Sequence, residues 1–328
     1  MRICFYALRE YDELAYCEKC KEEFGIDYVY TGYYPSLENA ALAKGCEAVS
    51  MTPCDMSAEL VEAFHSIGVK YITCRSVGYN HVNLEKAKEL GMRVSNATYP
   101  PDGVANYTIM LMLACLRKLP HILKRVELQD FSLKDKIGKD ISSCTIGVLG
   151  TGKIGATVIQ HLSGFGCKIL AYDSYQKDSI KGLAEYTNFE TLLKESDLIT
   201  LHMNATNANY HIVCNESIAK MKEGIVIINT ARGNLIDSDA LIQGIQSGKI
   251  GAAGLDVLEN EDGLYYYNRI GKVLVNETLA ILRSFPNVVL SPHTAFYTEE
   301  DVAGMVQSCF ESLYAFEQGE PTTHEIKF

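Results

Sequence analysis

No apolar run in this 328-residue chain is longer than Ile109 to Leu116. That is far below the ~20 residues a helix needs to cross a bilayer, so no membrane role is expected. No secretory leader is expected either: the opening Met-Arg-Ile-Cys-Phe-Tyr-Ala-Leu-Arg-Glu returns to charge without an apolar core or a small-residue cleavage site. Both absences point to the cytoplasm. Positive charge is scarce, with 30 Lys and Arg against 41 Asp and Glu and a formal charge of -11. Such a balance repels phosphate backbones and no basic stripe offsets it, so no nucleic-acid partner is expected. An anionic metabolite would need a cation supplied locally. The eleven cysteines show no paired spacing apart from Cys17 and Cys20, and a lone CxxC lacks the second pair of a structural zinc site. They read as small apolar residues of a reducing compartment, and no metal is expected.

What is present is ordinary globular composition, 47% hydrophobic and 22% charged, with length enough for two domains. Short β-rich runs alternate with helical patterns at Ile3 to Ala7, Ala48 to Met51, Tyr71 to Cys74, Thr145 to Leu149, Lys168 to Tyr172, Leu198 to His202 and Ile225 to Asn229. This rhythm predicts βαβ units and parallel sheets. Without linkers or repeats, boundaries must come from motifs. Tyr99-Pro-Pro-Asp102 forces an extended path before the helical pattern Val104 to Lys118. Ser291-Pro-His293 follows the apolar run Val288 to Leu290 and precedes an amphipathic stretch, Thr298 to Phe316.

Thr145 to Leu149 runs directly into Gly150-Thr-Gly152-Lys-Ile-Gly155 and then a helical stretch, Ala156 to Ser163. In a dinucleotide turn Gly150 allows the tight bend, Gly152 lets backbone amides approach a pyrophosphate, and Gly155 lets helix and strand pack closely. A second strand ends in Asp173, 23 residues after Gly150, where a carboxylate would hold the adenosine ribose hydroxyls. A 2′-phosphate there would meet like charge, about 4 kcal/mol at 4 Å and an effective dielectric of 20, so NAD is expected over NADP. Since 144 residues precede this unit, another α/β domain should fold around it.

Three polar sites then interrupt apolar strand ends: Asn229-Thr-Ala-Arg232-Gly, Asp256-Val-Leu-Glu259-Asn-Glu261 and Ser291-Pro-His293-Thr. Singly, these read as a surface charge, a solvated face and a turn. Together, with Arg232 and Glu261 29 residues apart and Glu261 and His293 32 apart, they resemble the D-2-hydroxyacid dehydrogenase family over essentially the whole chain. The likeness is strongest to its D-lactate dehydrogenase branch, including the glycopeptide-resistance type. Thr73 to Asn83, Tyr99 to Thr108 and His293-Thr-Ala-Phe-Tyr-Thr298 carry it further.

The resemblance implies a Rossmann NAD-binding domain, residues 100–296, inserted in a flavodoxin-like substrate domain, residues 1–99 and 297–328, both doubly wound parallel-sheet α/β. It implies Arg232 as carboxylate clamp, His293 as acid/base and Glu261 as its support. Val77, Gly78, Tyr99 and Phe296 would line the substrate. Gly150, Gly152, Lys153, Ile154, Gly155, Asp173, His202, Thr230, Ala231 and Asp256 would hold the cofactor. The chemistry asks for the same residue types. A guanidinium fork matches a carboxylate in two parallel bonds, and histidine exchanges protons near neutrality. A carboxylate on the other ring nitrogen fixes the tautomer and stabilises the charge of the protonated ring.

Aromatic walls at Tyr99 and Phe296 favour small or apolar side chains, so pyruvate, reduced to D-lactate, is the leading substrate. Larger 2-oxo acids such as 4-methyl-2-oxopentanoate or phenylpyruvate follow. No cation cluster suited to a phosphorylated acid is evident, since Arg9 and Arg75 stand alone in the sequence. Departures from the family pattern occur at Pro100, Asn106 and Leu201-His-Met-Asn204. The competing class is a non-enzymatic NAD-sensing interaction protein. The family's habit implies a homodimer, with the apolar pattern Val104 to Leu116 as a candidate surface, a pattern that core burial explains equally well.

Overall fold

Among the described residues twelve strands and eleven α-helices follow one another in a βα rhythm that the alternating apolar runs foreshadow. The computed structural model describes residues 1–261 and 263–328. In chain order the first part contains β1 (Arg2–Phe5), α1 (Leu14–Phe24), β2 (Asp27–Tyr30), β3 (Ala48–Met51), α2 (Ala58–Ser66), β4 (Tyr71–Cys74), α3 (Leu84–Glu89) and β5 (Arg93–Ser95). Then come α4 (Asp102–Leu116), α5 (Leu119–Glu127), β6 (Thr145–Leu149), α6 (Lys153–Leu162), β7 (Lys168–Tyr172), β8 (Glu185–Tyr186), α7 (Phe189–Glu195) and β9 (Leu198–Leu201). The remainder is α8 (Asn215–Lys220), β10 (Ile225–Asn229), α9 (Ser238–Ser247), β11 (Ile250–Leu255), α10 (Glu277–Ser284), β12 (Val288–Leu290) and α11 (Glu299–Glu317).

The chain divides into two compact units, Met1–Pro100 with Tyr297–Phe328, and Pro101–Phe296. In the first, five parallel strands lie in the order β2-β1-β3-β4-β5, a flavodoxin-like winding. One face is covered by α11 and α1, where Val306, Phe310, Leu313 and Phe316 pack with Ile3, Phe5, Cys17 and Cys20. Cys17 and Cys20 are therefore core residues. Burial pushes their thiols up to about 12 and about 11, which leaves them inert.

Arg9 and Arg75 do not stand alone. Arg75 is fully buried, with Nε 2.8 Å from Glu13 Oε1 and Nη2 donating to the Tyr6 and Ala7 carbonyls at 2.8 and 3.1 Å. Arg9 pairs with Asp12 at 2.9 Å and Glu13 at 3.4 Å. Their partners are sequence-distant or local carboxylates that composition alone does not reveal. A buried guanidinium costs several kcal/mol to desolvate, and these bonds offset that cost.

In the second unit seven parallel strands run β12-β11-β10-β9-β6-β7-β8. Strand order reverses direction between β6 and β9, the switch point outside which α/β sheets bind ligands. The glycine turn follows β6 at that point. Helix α4 is mostly core: Val104, Ala105, Thr108, Ile109, Leu111, Met112, Cys115 and Leu116 are buried. Of the two readings of the pattern Val104 to Leu116, core burial is the one these side chains follow. The helix fills the space above β10 and β11, to which it packs. No helix among the described residues is long and apolar enough to cross a membrane.

Candidate active site

Gly150 ends β6 with φ +94°, a backbone conformation that disfavours any side chain. A Cβ there would also meet the His202 carbonyl oxygen at 2.6 Å. At Gly155 a Cβ would lie 2.0 Å from the Gly150 carbonyl oxygen, so the turn closes only with glycine at both positions. Space around Gly152 is open, with nothing within 4 Å of a Cβ. Gly152 precedes α6 without a side-chain cap, so the first-turn amides at Lys153 and Ile154 have no acceptor from that position. Orphan amides, the positive end of the helix dipole and an unfilled approach are what a pyrophosphate requires, and the turn fits a dinucleotide.

Asp173 follows β7 and accepts hydrogen bonds from the Thr151 amide at 2.6 Å, the Thr151 hydroxyl at 3.1 Å and the Tyr175 amide at 3.0 Å. Burial works to raise its pKa, but these bonds win and hold the carboxyl below the usual aspartate value. The carboxylate is thus fixed and ionised beside the turn, as ribose recognition demands. His202 backs the turn: its amide donates to Leu149 at 2.7 Å and its Nε2 lies 2.9 Å from the Thr200 hydroxyl. Burial pushes its pKa down to about 3, so the ring is neutral. Thr230 is buried with its hydroxyl 2.8 Å from that of Thr108.

The three polar segments leave the C-terminal ends of β10, β11 and β12, which are neighbours in the sheet. Strand spacing of about 4.8 Å brings such segments into one region. After β10, Asn229 shapes the turn by accepting from the Ala231 amide at 3.0 Å and donating to the Arg232 carbonyl at 2.9 Å. Arg232 is partly exposed, and its Nη1 donates to the Ala231 carbonyl at 2.7 Å. Next, Gly233 lies directly on the peptide that leads to Glu261: a Cβ would sit 2.0 Å from Leu258 C and 2.3 Å from Glu259 N. Only glycine allows the arginine segment and the glutamate segment to touch.

His293 Nδ1 lies 2.5 Å from Glu261 Oε1, while Glu261 Oε2 accepts from the Leu258 amide at 2.7 Å. Among the described residues no hydrogen-bond partner is recorded for His293 Nε2, which leaves that nitrogen available to a reacting group. The histidine itself has φ +54°, an unusual conformation held by its surroundings. Its amide donates to the Asp256 carbonyl at 2.7 Å, and its carbonyl accepts from the Tyr266 hydroxyl at 3.1 Å. Asp256 is fully buried and turned into this loop, accepting from Ser291 Oγ at 2.6 Å and from the Thr294 and Ala295 amides at 2.9 Å each. These bonds shape the histidine loop around Asp256, which the resemblance places among the cofactor residues. The Phe296 and Tyr266 rings flank the imidazole, with centroids 6.3 and 6.0 Å away.

Sequence reasoning missed Asn229, Ser291 and Tyr266 as organisers of the site. A polar residue closing a fully apolar strand, as in Ile225 to Asn229, was the available signal for the first. In the other unit, Val77 and Gly78 follow β4, their carbonyls taken by Asn96 Nδ2 at 2.7 Å and Ser76 Oγ at 2.6 Å. Tyr99 there packs along α11, where a Cβ on Gly304 would meet its own Cβ at 3.2 Å. Among the described residues no group of three or more His, Cys, Asp or Glu side chains could hold a metal ion.

Residues 109–295 match the family model described as D-isomer specific 2-hydroxyacid dehydrogenase, NAD binding domain. The chain is 42% identical over 322 residues to an aromatic 2-oxoacid reductase of Clostridium sporogenes, covering 97% of this chain and 96% of that one. A D-specific alpha-keto acid dehydrogenase of Enterococcus faecium is 38% identical, with 94% and 95% covered. Among solved structures, the apo form of D-lactate dehydrogenase from Escherichia coli superposes with a TM-score of 0.88 at 34% identity, covering all of both chains.

Proposed function

This chain belongs to the D-isomer-specific 2-hydroxyacid dehydrogenase family, and from that membership we propose that it reduces a 2-oxo acid through Arg232, Glu261 and His293. It is an NAD-dependent oxidoreductase acting on the CH–OH group of D-2-hydroxy acids. The observation that carries the catalytic assignment is the 2.5 Å contact between His293 Nδ1 and Glu261, with the opposite ring nitrogen open.

Gly150, Gly152, Lys153, Ile154 and Gly155 would hold the pyrophosphate at the α6 N-terminus, Asp173 the adenosine ribose, and His202, Thr230, Ala231 and Asp256 the remaining cofactor side. When bound, NADH supplies the hydride that reduces C2 of the substrate. Arg232 clamps the substrate carboxylate with its planar fork. His293 Nε2 gives its proton to the ketone oxygen as that oxygen becomes a hydroxyl. Glu261 keeps Nδ1 protonated and the ring aimed, so that Nε2 is the nitrogen that exchanges.

Pyruvate is the leading substrate and D-lactate its product. A second reading, an aromatic 2-oxo acid such as phenylpyruvate, draws on the Phe296 and Tyr266 rings beside His293 and on the relative named as an aromatic 2-oxoacid reductase. NADH oxidation with pyruvate, 4-methyl-2-oxopentanoate and phenylpyruvate, followed by chiral analysis of the product, ranks these readings. L-products, or turnover of none of the three, would overturn the proposal.

A homodimer is also proposed, through a surface around α5 and the C-terminal end of α4. Leu123, Leu128, Phe131, Leu133 and Ile137 are exposed on α5 and the segment after it. The same unit has an apolar cavity of about 650 Å³ lined by residues that include Leu116, Pro120, Val226, Ala252 and Val289. Protruding apolar side chains and an apolar hollow on one unit suit an isologous contact. Light scattering should return twice 36.4 kDa, and a monomer mass at micromolar concentration would exclude this.

A further inference from the structure

We propose that His211 is a positioning residue: its pairing with Glu259 holds the loop that carries Glu261, and so keeps His293 in its working orientation. This rests on the catalytic reading of Glu261 and His293 given above.

His211 lies after β9, far in sequence from every segment it joins. Its backbone has φ +53°, left-handed like that of His293. Its amide donates to the Asn234 carbonyl at 3.0 Å, and the neighbouring Val213 amide donates to Leu235 at 3.0 Å. The His211 backbone is thereby fastened to the segment that follows Arg232. Its imidazole reaches the other segment, with Nε2 2.8 Å from Glu259 Oε1. The Tyr210 ring stacks on the imidazole at 3.8 Å, and the Tyr210 hydroxyl donates to the same carboxylate oxygen at 3.0 Å. Ser238 Oγ is 3.4 Å from Glu259 Oε2, and Asp237 Oδ2 is 3.9 Å from His211 Nδ1.

A continuous path follows. Glu259, held by His211 and Tyr210, is covalently joined to Leu258, and the Leu258 amide donates to Glu261 Oε2 at 2.7 Å. The other oxygen of Glu261 holds His293 at 2.5 Å. On its far side the Leu258–Glu259 peptide rests against Gly233, next to Arg232. A cluster serving the fold alone would not need to tie the arginine segment to the glutamate segment. Release of Glu259 frees the peptide that fixes one oxygen of Glu261. Displacements of about 1 Å at a catalytic group lower turnover by as much as ~10²-fold.

The test compares His211→Ala, His211→Gln, Glu259→Gln and the double variant His211→Ala with Glu259→Gln in saturating NADH oxidation assays, with His293→Ala as reference. We expect His211→Ala and Glu259→Gln each to lower kcat about tenfold, while KM for the 2-oxo acid and the NADH Kd stay within twofold. His211→Gln, whose amide can still donate to Glu259, should recover most of the loss. The double variant should be no slower than either single, because both cut one link. Parent-like kcat in the single variants, a loss carried by KM, or multiplying effects in the double variant would overturn the inference. If His211→Ala does not fold, Glu259→Gln carries the same test with its side-chain shape kept. His293→Ala separates the two readings. If it is inactive while His211→Ala matches the parent, only this inference falls; if it retains turnover, the catalytic reading falls first.

Discussion

Replacing Glu261 by glutamine keeps the size of the side chain and removes one of its two acceptors. In the protein, one oxygen takes the Leu258 amide at 2.7 Å and the other takes His293 Nδ1 at 2.5 Å. A glutamine has a single carbonyl oxygen, so either the amide or the imidazole must face an NH2 group. The bond lost to the imidazole is charge-assisted, a class worth about 1.5–3 kcal/mol. Side-chain exposures of 26% for His293 and 21% for Glu261 admit solvent screening, which favours the lower end, about 1.5–2 kcal/mol. Turnover should therefore fall roughly 10- to 30-fold. The loss should appear in kcat, because the interaction matters most while the ring changes its charge. NADH affinity, read by NADH fluorescence on titration, should hold. Glu261→Asp retains the charge but shortens the reach, and its rate should lie between those of the parent and Glu261→Gln. A Glu261→Gln enzyme with kcat within twofold of the parent would refute this reasoning.

Three further outcomes are expected. Asp173→Ala should lower kcat/KM with NADH at least tenfold and narrow the preference over NADPH, since a fixed anion no longer meets the ribose; an unchanged cofactor ratio counts against the assignment. Gly233→Ala places a Cβ 2.0 Å from Leu258 C and must push the Glu261 segment aside, so kcat should drop about 10²-fold and the thermal midpoint should fall; parent-like values of both would be the contrary result. His202, with its folded pKa pushed down to about 3, stays neutral where the unfolded chain binds a proton. Stability should therefore decline as pH falls below about 6.5, by about 1.5 kcal/mol between pH 6.5 and 5. His202→Asn should flatten this part of the urea-denaturation profile, and identical slopes would exclude the cause.

Strands were legible where a short apolar run stands out from its flanks: β3, β4, β6, β7, β10 and β12 have the limits their sequences suggest. β1 stops at Phe5 although the apolar run continues to Leu8, because Ala7 adopts φ +49° and turns the chain. β11 was marked only by its end at Asp256 and not by a run of its own, its Ile-Gly-Ala-Ala-Gly-Leu being rich in small residues of low strand propensity. Helix α6 begins at Lys153, three residues before the expected Ala156, since Gly155 reads as a breaker while the helix is started from the open turn at Gly152. Helix α5 was missed because Pro120 reads as a stop, yet it sits in the first turn, where proline is tolerated. At the site, the residue types near strand ends were legible from motifs. The partners that orient them were not: His211 and Glu259 are 48 residues apart, and Arg75 and Glu13 are 62 apart. No periodicity connects such pairs.

The seating of α11 against β1 sets an order for biosynthesis. Phe5 packs on Phe310 with ring centroids 5.7 Å apart, so the first strand made awaits a cover translated some 300 residues later, roughly 15–60 s at ribosomal rates of about 5–20 residues per second. Residues 101–296 form one uninterrupted stretch and are all translated inside that interval. The nascent N-terminal sheet must meanwhile wait with that apolar face covered only by α1, which makes it a natural client for chaperones and the portion most exposed to aggregation when translation stalls.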